Sequence, residues 1–475
     1  MTIVFRPIAG PAGRPTEIMS NAFFYDLLAS VAERGRSMLK IKPWPKDVDN
    51  HSERLVETCR ALVEGRGEAS GVALAAEILG RYHTLDPSDH AAFFGALADE
   101  FGPDRGRVRD AIAKFGPDGD EAAASEIHYA SEPRRHELFR RLNRAPGGTA
   151  TLVAMRADLL QLVNQNPSLA IVDRDFLHLF GSWFNRGFLV LRRIDWSSPA
   201  ALLDKIIRYE AVHEIGDWDE LRRRIDPADR RCYAFFHPRL VDEPLIFVEV
   251  ALTLTPPAAI APLLAEKRAH VAPDKARVAA FYSISNCQQG LAGVNFGNFL
   301  IKQVVEEIRR EWPKIESFVT LSPVPGFRAW LETTEDAAIA PMKSAALQLA
   351  AEDNWPTAPG VAPRLRAMLE PLAAHYFLKA RRPDGRVLDP VARFHLGNGA
   401  RLERIDWEGD LSPKGLAESF GIMVNYLYDL DEIERNHEAF VNRGQIAASA
   451  AVKKLVPAAS SRLRAALPGA SLSNA

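Results

Sequence analysis

Apolar residues recur at three- and four-residue spacing through the N-terminal part of the chain, the signature of helices with one buried face. Phe23, Phe24, Leu27, Leu28, Val31 and Leu39 share one stripe. Further amphipathic segments cover residues 52–65, 71–83, 87–101, 105–115, 121–142 and 149–165. Asp86-Pro87-Ser88-Asp89 and Gly102-Pro103-Asp104 separate them as stop-and-start signals. Almost nothing here alternates as a strand would. Short helices with short connections pack on one another, so the pattern predicts an all-α domain over residues 1–180. Its first residues contain Pro and Gly and are expected to be loosely ordered.

The pattern then changes. Residues 173–188 lead as helix or linker into short strand signals at Leu189-Val190-Leu191 and Ile194. A helix is predicted at 199–209, with Leu202, Leu203, Ile206 and Ile207 on one side, and another at 218–224. Strands follow at 232–236 and 245–255. The run Leu245-Ile246-Phe247-Val248-Glu249-Val250-Ala251-Leu252 has few polar breaks, as in a strand covered on both faces. A helix near 262–270, a strand at 278–284, a helix before Pro313 and a strand at 317–321 come next. This order predicts a mixed sheet with a ligand site near its strand ends. Helices at 334–354 and 363–378 read as an insertion packed on the sheet. In 389–398, Val391, Arg393 and His395 alternate with Ala392, Phe394 and Leu396, which predicts an edge strand ended by Asn398-Gly399.

The chain has 475 residues, 47% hydrophobic and 25% charged, with net charge −2. That is room for two or three domains of a soluble globular type, and bulk charge gives nucleic-acid binding no support. Cys59, Cys232 and Cys287 are far apart, without metal or disulfide spacing, which suits a reducing cytoplasm. No secretory signal and no bilayer-length apolar run is seen, and the final Ser-Leu-Ser-Asn-Ala is not a peroxisomal ending. His51, His83, His90, His128 and His136 show no ligand or triad spacing, so surface or capping roles are expected. His375 reads as a core or surface residue.

Candidate chemistry concentrates in residues 281–330. Phe281, Tyr282 and Ile284 favour a strand, and Gly290, Gly293 and Gly297 follow. Phe296, Phe299, Leu300, Val304 and Ile308 then line one helical face. Strand, glycine turn and helix N-terminus make a phosphate cradle, because glycine lets backbone N–H groups approach an anion. The spacing is neither GxGxxG nor GxxxxGK[ST], so glycines serving only turns remain an alternative. Ser322 lies where the next strand runs out. Ser-Pro is also a common helix start. No G-x-S-x-G elbow is nearby, so a serine nucleophile ranks low.

Longer motifs carry a resemblance. Phe281-Tyr282-Ser283-Ile284-Ser285, Gln288-Gln289-Gly290-Leu291, Leu300-Ile301-Lys302 and Leu321-Ser322-Pro323-Val324-Pro325-Gly326-Phe327 resemble the malonyl-CoA decarboxylase family. So do Asp389-Pro390-Val391-Ala392, Phe394-His395-Leu396, Asn398-Gly399-Ala400 and Asn425-Tyr426-Leu427-Tyr428. The resemblance implies an α+β protein, with an all-α domain for self-association over 1–180 and a GNAT-like (acetyltransferase-fold) catalytic domain over 181–475. It implies a homo-oligomer, dimer or tetramer. It implies that Gln289, Gly290, Ala292, Gly293, Val294, Asn295, Phe296, Gly297 and Asn298 bind coenzyme A. Gln289-Gly290-Leu291-Ala292-Gly293 is similar to that fold's pyrophosphate turn but departs from its usual form. An acidic residue in relatives at the Asn295 position would have no carboxylate counterpart here; the amide offers a hydrogen bond instead.

The implied reaction turns malonyl-CoA into acetyl-CoA and CO2. Ser322 would orient the malonyl group or polarise the thioester, and His395, titrating near neutrality, would protonate the enolate. Tyr428 would hydrogen-bond in the pocket, and Lys205 is carried with the catalytic set on resemblance alone. The thioester is the electron sink, so no metal or cofactor is expected, and neither nucleic acid nor a membrane is an expected partner. An acyl-CoA-dependent N-acyltransferase and a non-catalytic acyl-CoA-binding scaffold are the alternatives.

Overall fold

Aspartates start the N-terminal helices where the punctuation predicts. Asp86 accepts from Asp89 N–H (2.9 Å) ahead of Pro87, Asp104 from Gly106 N–H (2.9 Å), and Asp120 from Ala123 N–H (2.8 Å). The computed structural model describes residues 30, 51–117, 119–294, 296, 300–351, 355–356 and 360–456. The stripe from Phe23 to Leu39 lies outside the described residues, as do Asn295, Gly297 and Asn298.

The described chain divides into two compact units. Its first unit takes in the described residues up to 188 and adds 237–241 and 288–294, so the glycine turn clusters with the helices. Its helices are α1 His51–Glu64, α2 Glu68–Tyr82, α3 Pro87–Glu100 and α4 Arg105–Phe115, then α5 Glu121–Ser131, α6 Arg134–Arg144, α7 Gly148–Val163 and α8 Ala170–Trp183. Leu55, Cys59, Ile78, Phe93, Leu138 and Leu159 are fully buried among them. The single helix predicted over 121–142 is two, α5 and α6. Pro133 lacks an N–H and disfavours helical geometry in the residue before it, so the chain breaks at Glu132-Pro133. His136 is buried rather than a surface or capping residue. Its Nε2 lies 2.9 Å from Asp175 Oδ1, and its ring stacks on His178. The same aspartate takes the guanidinium of Arg135, so the buried charge is paired.

The second unit holds, among the described residues, an eight-stranded sheet. In chain order it runs β1 Val190–Ile194, α9 Ala200–Tyr209, α10 Trp218–Ile225, β2 Arg230–Phe236, β3 Pro244–Thr253, α11 Ala261–Leu264, β4 Val278–Asn286 and α12 Leu300–Glu311. It continues with β5 Ser317–Thr320, β6 Ser322–Pro323, α13 Phe327–Thr333, α14 Ala340–Ala350, α15 Val361–Leu378, α16 Pro390–Gly397, β7 Arg401–Asp406, α17 Pro413–Ser419, β8 Met423–Leu427, α18 Ile433–Arg443 and α19 Ala450–Leu455. The sheet order is β1-β2-β3-β4-β5-β8-β6, with β7 on β8. β1 to β4 are antiparallel and β4–β5 is a parallel pair. A helical N-terminal part followed by a mixed sheet is the α+β arrangement the resemblance implies. The predicted helix at 262–270 is a single turn, α11. Arg268 reaches back to Asp229 (2.6 and 2.9 Å), and Val271 N–H bonds the same carboxylate, which holds this segment out of a helix.

Two irregularities open the sheet. Glu249 pairs with Ser283 but Val250 with Phe281, so Tyr282 is an extra residue and β4 carries a bulge there. Pairing of β4 with β5 ends at Phe281 and Thr320, after which β6 pairs with β8 instead. The two strands part beyond that point.

Candidate active site

Three elements bring side chains to the place where β4 and β5 part. Ser322 opens β6, just after Thr320 ends β5. Tyr428 follows β8, its N–H bonded to Phe318 O at 2.8 Å. His395 comes from the last turn of α16, so the predicted edge strand is a helix. Asp389 accepts from Ala392 N–H at 2.7 Å and Pro390 takes the first helical position, a helix start that overrides the short alternation. Burial pushes the Asp389 carboxyl up to about 6, and Tyr376 Oη donates to it at 3.2 Å. Asp389→Ala removes this cap. It is expected to lower unfolding free energy by about 1 kcal/mol, read from the denaturant midpoint.

The three side chains form one chain of hydrogen bonds. His395 Nε2 lies 3.1 Å from Ser322 Oγ, and Nδ1 lies 2.8 Å from the Tyr428 hydroxyl. Ser322 Oγ donates to Thr320 Oγ1 (2.8 Å), which also accepts from Tyr426 N–H (3.1 Å). These bonds assign one tautomer. With the serine hydrogen given to Thr320, Ser322 Oγ accepts from Nε2–H, and Nδ1 accepts from the phenol. The ring also stacks on Tyr426, centroids 4.5 Å apart. All three groups are buried. Desolvation pushes His395 down to about 3 and raises the Tyr428 phenol. The histidine expected to titrate near neutrality is thus a neutral imidazole here, because charging it would bury a cation that, among the described residues, no carboxylate faces.

Ser322 and His395 line a cavity of about 240 Å³ with Asn286, Val212, Phe281 and Phe394 among its walls. Neither lysine nor arginine is among the lining residues. Val212 comes from a loop after α9 that side chains hold in place. The Glu210 carboxylate accepts the N–H groups of Val212 and His213 (2.8 Å each) and the Ser283 hydroxyl. Lys414 Nζ donates to Ala211 O (3.0 Å) and Val212 O (3.3 Å). His213 bonds the backbone of the bulged Tyr282, and burial pushes it down to about 4.

Lys205 is not among the lining residues; its ammonium is tied to the Glu243 carboxylate and to Asp242 O (3.0 Å). Gln289, Gly290, Ala292, Gly293 and Val294 form a tight turn that begins with one 3₁₀ turn, Gln289–Leu291, and belongs to the first unit. Phe296 is described in a loop, half-buried. Among the described residues no group of three or more His, Cys, Asp or Glu is placed to hold a metal. None of their helices is long and apolar enough to cross a membrane. No local sequence pattern marks Thr320, Tyr426 or Val212 as site residues. The Glu210-Ala211-Val212-His213 run is the nearest signal for the last of these.

A neutral imidazole and a hydroxyl in an apolar chamber equip an enzyme for proton transfer on an acyl group. Comparisons narrow that class. The family model "Malonyl-CoA decarboxylase C-terminal domain" matches residues 187–466, and "Malonyl-CoA decarboxylase N-terminal domain" matches 101–184. The mitochondrial malonyl-CoA decarboxylase of Anser anser anser is 36% identical over 423 residues, covering 80% of this chain and 83% of the relative. The crystal structure of malonyl-CoA decarboxylase from Rhodopseudomonas palustris is 58% identical, with TM-score 0.82, over 85% of this chain and 99% of that one. The Agrobacterium vitis structure is 53% identical, with TM-score 0.81, over 85% and 100%. The chain belongs to the malonyl-CoA decarboxylase family.

Proposed function

We propose that Ser322, His395 and Tyr428 carry the decarboxylation of malonyl-CoA to acetyl-CoA and CO2. The observation that carries this reading is the lining of the cavity. A hydroxyl and an imidazole, bonded to each other, stand there with neither lysine nor arginine among the described lining residues. Breaking the bond from C2 to the carboxylate releases CO2 and leaves its electron pair on C2, delocalised into the thioester as an enolate. An ammonium or guanidinium on the carboxylate would stabilise the starting state more than the transition state, where that charge moves away. Ser322 offers the malonyl group a neutral hydrogen bond instead. The walls of Val212, Phe281 and Phe394 suit an uncharged CO2.

The enolate carbon then takes the proton on His395 Nε2. Burial keeps the ring neutral in the free protein, so substrate must help to charge it. A carboxylate about 4 Å away is worth about 4 kcal/mol at an effective dielectric of about 20. That is about three tenfold steps in proton affinity, enough to bring the ring from about 3 to about 6. The proton taken up from water on binding enters at Nδ1, where the Tyr428 hydroxyl turns to accept it; C2 takes the one on Nε2, and the ring returns to neutral in the other tautomer. The thioester accepts the electron pair, so the reading calls for no metal or added cofactor.

Coenzyme A's diphosphate goes, in this reading, to the turn at 289–294. Three buried, unpaired cysteines support a cytoplasmic setting. Self-association through the helical unit is carried with it, supported by Ile112 and Tyr129, which are exposed there. Purified protein given malonyl-CoA and no amine should release acetyl-CoA and CO2 in equal amounts, followed by chromatography and a labelled carboxylate. Ser322→Ala should slow this about a hundredfold. Malonyl-CoA left intact by the wild type would end the proposal, and consumption only when an amine is present would favour the acyltransferase.

A further inference from the structure

We propose that Arg156, on α7 of the helical unit, is a positioning residue for coenzyme A: it holds the turn at 289–294 so that the Gly293 N–H faces the diphosphate. The inference rests on the functional reading above and adds a role for the helical unit in substrate binding.

Arg156 is among the largest fully buried side chains, 2% exposed. Its Nη1 donates to Gly290 O at 2.8 Å and to Ala292 O at 2.7 Å. Its Nε donates to Asp173 Oδ1 at 2.7 Å, in the first turn of α8. The guanidinium is thus charge-matched by Asp173, and what it gives the turn is direction. A trans peptide sets its C=O and the next N–H on opposite sides, and the described chain has no cis peptide. With Ala292 O drawn onto Arg156, Gly293 N–H must point away from it. Gly293 is exposed and has φ +76°, a conformation glycine takes readily. Leu291, Ala292 and Val294 N–H groups are already spent on Gln288 O, Gln289 O and Leu291 O.

Gly290 fixes the turn from the other end. A Cβ there would come 1.8 Å from Val153 O on α7, a helix backbone that cannot yield. The glycine that looks like a phosphate glycine in the sequence is required by the seat on α7. The turn therefore takes its shape from α7 and α8.

Malonyl-CoA and malonyl-pantetheine, which lacks the nucleotide diphosphate, separate this role from a general structural one. Arg156→Met keeps the length and removes the donors. Arg156→Lys keeps a charge but has one nitrogen, where the guanidinium gives Nη1 to both carbonyls and Nε to Asp173. Both should raise KM for malonyl-CoA about tenfold, leave kcat within about twofold, and leave kcat/KM for malonyl-pantetheine unchanged. Should the buried arginine prove necessary for folding, Asp173→Asn keeps an acceptor for Nε but removes the anchor's charge, and should raise the same KM about threefold. Equal losses on both substrates, or no change in KM, overturns the assignment. Failure of the wild type on malonyl-CoA itself would instead strike the functional reading.

Discussion

The His395→Asn variant should lose about three orders of magnitude in kcat on malonyl-CoA, the range expected when a general acid is removed. Asparagine keeps a polar group near Ser322 and Tyr428 but cannot accept and release a proton near neutral pH. Decarboxylation without that proton leaves the enolate to be protonated by chance water in a chamber walled by apolar side chains. KM should stay within about threefold, because the residues assigned to coenzyme A lie in another segment of the chain. Stopped-flow or steady-state assays on the folded variant decide the matter. A kcat within about tenfold of wild type would remove His395 as the proton donor.

Acid should destabilise the wild-type protein through the same ring. Unfolded, His395 titrates at its ordinary 6.5; folded, burial lowers it to about 3. Below 6.5 the unfolded chain takes up a proton that the folded chain refuses, so stability is full above 6.5 and falls as pH drops toward 3. At about 1.4 kcal/mol per tenfold change in proton concentration, the whole window is worth on the order of 5 kcal/mol. About 3 kcal/mol of it is gone by pH 4. His213 and His237, which burial pushes down to about 4, act in the same direction but are present in both proteins. Urea unfolding of wild type and His395→Asn at pH 7 and pH 4 isolates the ring's share. The difference should move by about 3 kcal/mol in favour of the variant at the lower pH. Parallel pH curves would overturn the neutral buried imidazole.

Much of the fold is legible because its signals are local. Asp-Pro and Pro-Asp punctuation starts α3 and α4, and the apolar run around Phe247, broken by Glu249, is a strand buried along nearly its whole length. Ser322 is legible as a strand-end residue for the same reason. The helix under His395 was equally written in Asp389-Pro390. Over so few residues, however, alternation and helical spacing compete. Ala392, His395 and Leu396, buried at helical spacing, decide for the helix. Other features depend on partners far along the chain. Asp229 holds the segment after α11 extended through Arg268, and Asp175 draws His136 inside. Thr320 matters to the site only because Ser322 and Tyr426 both bond its hydroxyl, which no local pattern announces.

The His395 ring is held at both nitrogens and on one face, by Ser322, Tyr428 and Tyr426. A donor so clamped reaches a planar enolate from a single side. The two hydrogens of the malonyl methylene are then not equivalent to the enzyme, and the incoming third always takes the same station. Acetyl groups leaving this protein would carry, in isotopes, a handedness that their chemistry conceals.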